Sequence, residues 1–161
     1  MLALDLLEKG LVTDQLVLTV GYDKENLSDP ERLKHYKGEV TVDRYGRKTP
    51  KHAHGTINLN RHTSSAKLLI SAATELFERI SDEALLSRRL NITANHVIHE
   101  GDVSEENREA EEKSLEREKS RQKAILSIKN RYGKNAIVKG MNLQEGATAM
   151  ERNRQIGGHK A

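Results

Sequence analysis

The chain has 161 residues, which is room for one domain of ordinary size with an extension, and two full domains would be cramped. Hydrophobic residues make up 35% and charged residues 32%, too polar a balance to bury every segment, so solvated helix or tail is expected beside one core. With no cysteine there is no disulfide framework, thiolate zinc site or cysteine nucleophile; with no apolar run near the ~20 residues of a bilayer span and no leader in MLALDLLEKG, a cytoplasmic protein without a membrane partner is expected. The formal net charge is only +3, but basic residues recur between Lys34 and Arg89 whereas carboxylates crowd Glu100 to Glu118, so an anion is expected on the first half.

Met1 to Glu8 reads as a helix closed by Gly10. It is apolar from its first residue and lacks a capping Ser, Thr, Asp or Asn, which predicts a chain that starts inside an element of a longer protein. Gln15 to Tyr22 (QLVLTVGY) has the length and β-branched content of a strand. Asp23 to Lys37 is polar, and Ser28 or Asp29 before Pro30 predicts one short helical turn within a loop. Gly38 to Asp43 alternates with Val40 and Val42 on one face, and Tyr45-Gly46 supplies the turn of a small hairpin.

His54 to Asn60 (HGTINLN) alternates again, with Ile57 and Leu59 inward and Thr56, Asn58 and Asn60 outward. A helix capped by Thr63 or Ser64 follows, because Leu69, Ala72, Ala73, Leu76 and Ile80 keep the three-and-four spacing of a buried stripe. Arg88 to Val97 predicts a further strand with Leu90, Ile92 and Ala94 inward and Arg89, Asn91, Thr93 and Asn95 outward. These elements define residues 1–100 as an α+β domain, an open sheet backed by two helices on one face. Residues 101–161 read as a long charged helix, from about Ser104 to Arg131, and a tail. In that tail Asn135 to Val138 is expected to add a short strand or to pack against a partner, and MNLQEGATAMERNRQIGGHKA has no sustained pattern, so it is expected to order only on binding.

Several phrases, GYDKENL, HYKGEVTVDRYGRK, HGTINLNRHTSS and SRRLNITANHV, together resemble the little-finger region of Gram-positive UmuC-type Y-family translesion DNA polymerases. IKNRYGKNAIVKGMNL and EGATAMERNRQIGGHKA resemble the tail of the same group, so the likeness covers nearly the whole chain. The resemblance implies a four-stranded sheet backed by two helices, with its first strand missing here, whose open face lies against DNA near the primer-template junction. It also implies a parent enzyme active in DNA damage repair and the SOS response. That parent's palm, with the carboxylates that hold Mg for nucleotidyl transfer, would lie upstream, so no catalysis and no cofactor are expected of this stretch. Many members carry a sliding-clamp-binding peptide of the Gln-Leu-x-Leu-Phe kind after the last strand. Here that region reads HEGDVSEENREAEEKSLEREKS and the only Phe is Phe77, so the resemblance suggests the sliding clamp as a partner but the aromatic clamp-binding motif is absent from this segment.

The residues expected to meet DNA are Thr56, Asn58, Asn60, Arg61, Arg88, Arg89 and Asn91, with Ser64 at a helix start and Arg44, Arg47, Lys48 and Lys51 as an electrostatic rim. Hydroxyls, carboxamides and guanidinium groups bond phosphate oxygens without reading bases. Taken alone, alternating polar residues describe the solvated face of any half-covered sheet; the resemblance favours DNA. His52, His54 and His62 sit in polar context without an Asp or Cys at ligand spacing, so no metal is expected. His96 and His99 would face opposite ways on a continuous strand and read as surface residues. No nucleophile, base and acid set and no Gly-x-x-x-x-Gly-Lys loop is recognisable. The competing reading is a non-catalytic module that binds replication proteins; an RNA reader is disfavoured because the outward positions lack stacking aromatics. The missing first strand would leave an exposed edge beside Gln15 to Tyr22 or its neighbour, which predicts a homodimer of the fragment.

Overall fold

The structure is a computed structural model that describes residues 2–103, 112–156 and 159–160. The chain divides into two compact units, Met1–Ala110 and Glu111–Ala161.

In the first unit, α1 (Leu2–Glu8) ends where Gly10 takes φ +63, a conformation that costs glycine little and lets the chain turn into β1 (Leu11–Tyr22). β1 is the central strand, longer at its start than the QLVLTVGY pattern predicts. Its alternation buries Leu16, Leu18 and Val20 under the helices. A 3-10 turn (Lys24–Leu27) and α2 (Pro30–His35) follow, the latter capped by Asp29 with Pro30 at its first position, as that dipeptide predicts. β2 (Val40–Val42) and β3 (Lys48–Pro50) form the expected hairpin, turning at Gly46 with φ +75. Val40 and Val42 do share a face, but both are exposed.

β4 (Ala53–Thr63) pairs antiparallel with β1, and α3 (Ala66–Ile80) returns over both. Ser65, rather than Thr63 or Ser64, caps α3: its hydroxyl accepts the Leu68 N–H at 3.3 Å, while Thr63 closes β4 and its Oγ1 accepts the Ser65 N–H at 3.0 Å. Leu69, Ala72 and Leu76 are buried. β5 (Ser87–Asn95) pairs antiparallel with the other edge of β1, and β6 (Ile98–His99) pairs with Leu11 and Val12 in the same register. The last strand is therefore broken at His96 and Val97, where His96 has φ +48, instead of running straight to Val97. The sheet order is β4-β1-β5, giving an α+β unit with an open antiparallel sheet.

Two apolar clusters hold the helices to the sheet. Leu6, Leu16, Leu69 and Ala72 join α1, β1 and α3; Leu18, Val20, Tyr22, Leu76 and Leu85 form the second. Each fully buried leucine contributes about 1.5–3 kcal/mol relative to an exposed one. The inward assignment fails on β5: Leu90 and Ile92 do face the helix side, across from Val20 and Leu18, yet they are 59% and 40% exposed. The helices lie over β1 and β4, so the helix side of β5 is left bare beyond Ala94, which packs on the first cluster.

In the second unit α4 (Glu112–Tyr132) ends before Gly133 at φ +94. The expected helical residues 104–111 lie outside the described ones. No strand forms over 135–138; the Asn135 amide donates to Met150 O at 3.0 Å and its Oδ1 accepts from Asn153 Nδ2 at 2.7 Å. The patternless end contains a 3-10 turn (Gly140–Leu143), α5 (Ala149–Arg152) and a hairpin of β7 (Gln155–Ile156) with β8 (His159–Lys160). Among the described residues no helix is long and apolar enough to cross a membrane.

Candidate nucleic-acid interface

The face of the sheet opposite the helices is built row by row from the strand registers. His54 on β4, Thr19 on β1 and Asn91 on β5 form one row; Thr56, Val17 and Thr93 the next; Asn58, Gln15 and Asn95 the third. The third row is an amide ladder, with Gln15 Nε2 donating to Asn58 Oδ1 at 2.9 Å and Asn95 Nδ2 donating to Gln15 Oε1 at 3.0 Å. In the first row Thr19 Oγ1 and His54 Nδ1 are hydrogen-bonded at 2.9 Å. Side chains fixed this way offer hydroxyl and amide groups in a set spacing, which suits oxygen-rich ligands held without base readout.

Cations gather at the end where β1 stops and β4 and β5 begin. Arg89 stands opposite Gly21, which contributes no side chain, and has no carboxylate partner among the described residues. Arg88 falls where the β1–β5 register shifts, and its Nη1 lies 3.0 Å from Asp23 Oδ2. Asp23 also accepts the Glu25 N–H at 2.9 Å; that bond, with Arg88 beside it, holds the carboxyl below its ordinary range. Asn26 underlies the arrangement. Fully buried, its Nδ2 donates to Asp23 O at 2.9 Å and Leu86 O at 3.0 Å, and its Oδ1 accepts the Leu86 N–H at 2.8 Å, clamping the 3-10 turn to the start of β5.

The hairpin leading into β4 carries the rim. Arg47 is bound by Asp43 through Nε at 2.8 Å and Nη2 at 2.7 Å, and Lys51 by Glu39 at 2.7 Å. The Arg47 guanidinium and the Arg47 and Tyr45 N–H groups pull the Asp43 carboxyl down to about 2. Arg44 and Arg47 both lie over the Tyr45 ring, at 4.7 and 5.0 Å from its centre. Lys48 has no carboxylate partner among the described residues. Exposed ion pairs of this kind are worth little in water, so a phosphate can exchange with Asp43 or Glu39 at small cost.

The structure thus brings Thr56, Asn58, Asn91 and Arg89 onto one face, with Arg44, Arg47, Lys48 and Lys51 on the adjoining hairpin. It does not bring Asn60 there by simple alternation. β4 carries extra residues between Asn58 and Thr63, Asn60 adopts φ +58, and Arg61 follows on the same bulged stretch. Ser64 lies between β4 and the Ser65 cap. Gln15, Thr19 and His54 belong to the face but were not among the expected contacts; the alternation of Gln15, Val17 and Thr19 within QLVLTVGY carried the signal. At the far end Asp14 sits between His96, 2.9 Å from Nδ1, and His62, 3.8 Å from Nε2. Among the described residues no group of three or more His, Asp or Glu is placed to hold a metal ion.

No protein-family model matches the chain, and neither a curated protein nor a solved structure matches it.

Proposed function

We propose that this chain binds the sugar-phosphate backbone of DNA without reading sequence, as the little-finger module of a Y-family translesion polymerase acting in DNA damage repair. The observation that carries the reading is the open β4-β1-β5 face: three rows built mainly of hydroxyl and amide side chains, with His54 and Val17 among them, Arg89 at one end and a basic hairpin leading into β4. Such a face supplies donors to phosphate oxygens, and its one ring, the His54 imidazole, is held by Thr19, which fits contact that tolerates a damaged template. In this reading nucleotidyl transfer and its Mg belong to a catalytic domain of the parent enzyme. The present residues hold the duplex.

A second reading, a non-catalytic module for replication proteins, draws support from the paired state of Arg47, Lys51 and Arg88, which leaves the rim less positive than its composition suggests. Salt separates the two. Phosphate contact releases counterions, so log affinity falls with log salt at a slope of about 0.9 per contact, whereas an apolar protein interface lacks that dependence. The test is titration of a labelled primer-template duplex at several salt concentrations, with wild type and an Arg88→Ala, Arg89→Ala double variant. Salt-sensitive binding weakened by the double variant supports the DNA reading; absence of binding at low salt favours the second.

A further inference from the structure

We infer that the second unit carries a site for single-stranded DNA: a cationic surface on the C-terminal half of α4 and the turn after it, with Tyr132 as the ring on which a base stacks. The small net charge of the chain hides this surface. No Asp or Glu occurs between Glu118 and Glu145, whereas seven Lys and Arg fall in that interval. Of these, Arg121, Lys123, Arg131, Lys134 and Lys139 are exposed and have no carboxylate partner among the described residues. The helix dipole accounts for cations in the last turn, Lys129 and Arg131, but not for Arg121 and Lys123 ahead of it or Lys134 and Lys139 beyond it. Like charges gathered without counter-ions repel one another, and a polyanion relieves that repulsion.

Spacing and the ring select the polyanion. Lys123, Ser127 and Arg131 recur every fourth residue, which sets them in one row along α4, and all three are exposed. Tyr132 follows at 66% exposure, with Arg131 Cζ 5.2 Å from its ring centre. A ring beside a guanidinium stacks a base whatever its identity, while the cations and the Ser127 hydroxyl take phosphate oxygens. The turn beyond the ring is fixed, because the Gly133 N–H donates to Lys129 O at 2.8 Å and Lys129 Nζ donates to Lys134 O at 2.6 Å. A duplex keeps its bases stacked on one another and offers none to the ring. A bilayer surface asks for a continuous apolar face, which the row of Lys123, Ser127 and Arg131 lacks. The site is separate from the open sheet face of the first unit, and only the choice of DNA over RNA rests on the reading of that face.

The experiment is titration of the full chain with labelled oligothymidylate over a salt series. The variants are Tyr132→Ala, Tyr132→Phe, a Lys123→Ala, Lys134→Ala double variant and, in the first unit, Arg89→Ala. The expected result is salt-sensitive binding that Tyr132→Ala weakens at least about fivefold and Tyr132→Phe leaves near wild type. The double variant should flatten the dependence of log affinity on log salt by about 0.7 per lysine removed, and Arg89→Ala should weaken binding less than Tyr132→Ala does. Circular dichroism checks that the variants fold. If Tyr132→Ala does not, ultraviolet crosslinking of the oligomer to the unaltered chain decides, and the peptide that holds Tyr132 should be marked. Four results would overturn the inference: no binding at low salt, a greater loss with Arg89→Ala than with Tyr132→Ala, tighter binding of oligouridylate or of anionic phospholipid vesicles, or a crosslink confined to the unit Met1–Ala110. Failure of the duplex titration would leave this result standing, so the two readings fall separately.

Discussion

Arg88 Nη1 lies 3.0 Å from the Asp23 carboxylate, whereas Arg89, the next residue, stands on the open face beside Gly21 with no carboxylate partner among the described residues. Two adjacent arginines therefore have different work. Arg88 must leave Asp23 before it can meet a phosphate, and Arg89 need not. Arg89→Ala is expected to weaken duplex binding at low salt by about 3–10-fold and to lower the salt slope by about one contact, with Arg88→Ala the smaller loss. Titrations of the two single variants at matched salt check the order.

The hairpin is expected to respond to acid. Asp43 is held at about 2 against an ordinary 3.8, so its ionised form is favoured in the folded hairpin. A depressed carboxyl adds stability that is fully present above the ordinary value and is lost as pH falls through the folded one. The Arg47 and Tyr45 turn contacts should thus persist at pH 4 and loosen as pH falls from about 3.8 towards about 2. Nuclear magnetic resonance of the Asp43 carboxyl and the Arg47 amide follows this, and a midpoint near 3.8 would show the contacts to be absent in solution.

Asn26 should be needed for more than local order. Asn26→Ala removes the side-chain bonds to Asp23 O, Leu86 O and the Leu86 N–H; the two carbonyls keep their main-chain bonds from the Asn26 and Asp23 N–H groups, and the Leu86 N–H is left without its partner. A loss of about 1–3 kcal/mol is expected in denaturant unfolding. Because the same bonds set the start of β5, the variant should also lose part of the Arg89 contribution to DNA binding.

Gly55 marks where α3 comes closest to β4. A Cβ built there would lie 2.8 Å from Ile80 Cγ2 and 3.1 Å from Leu76 Cδ1, and Ile80 is stiff at its branch point. Gly55→Ala is expected to cost about 1–3 kcal/mol, and Leu76→Ala about 2–5 kcal/mol, in equilibrium unfolding.

Much of this was legible in the sequence where local pattern decides. The stripe of Leu69, Ala72 and Leu76 fixes α3, and the alternation of Thr56 and Asn58 gives the open side of β4. Tertiary contact decided the rest. Leu11 to Asp14 did not read as strand because Asp14 interrupts the run ahead of Gln15; within it Thr13 is fully buried, its hydroxyl bonded to Gln15 O and Asn95 O. Alternation also says which side of a strand is apolar but not whether anything covers it, so Leu90 and Ile92 read as core although the helices lie over β4 and β1. The Arg88 partner is 65 residues distant, beyond any local pattern. Of the short elements after Gly133, α5 is tied to the chain by Asn135 side-chain bonds to Met150 O and Asn153, which periodicity does not show.

The most direct test of the central claim is the salt dependence of binding to a primer-template duplex, measured for wild type and for Arg89→Ala. Sequence-independent binding in the micromolar range whose log affinity falls linearly with log salt, with a shallower slope for Arg89→Ala, is the predicted result. Binding that is absent at low salt, or indifferent to both salt and Arg89, would contradict a phosphate-contacting face.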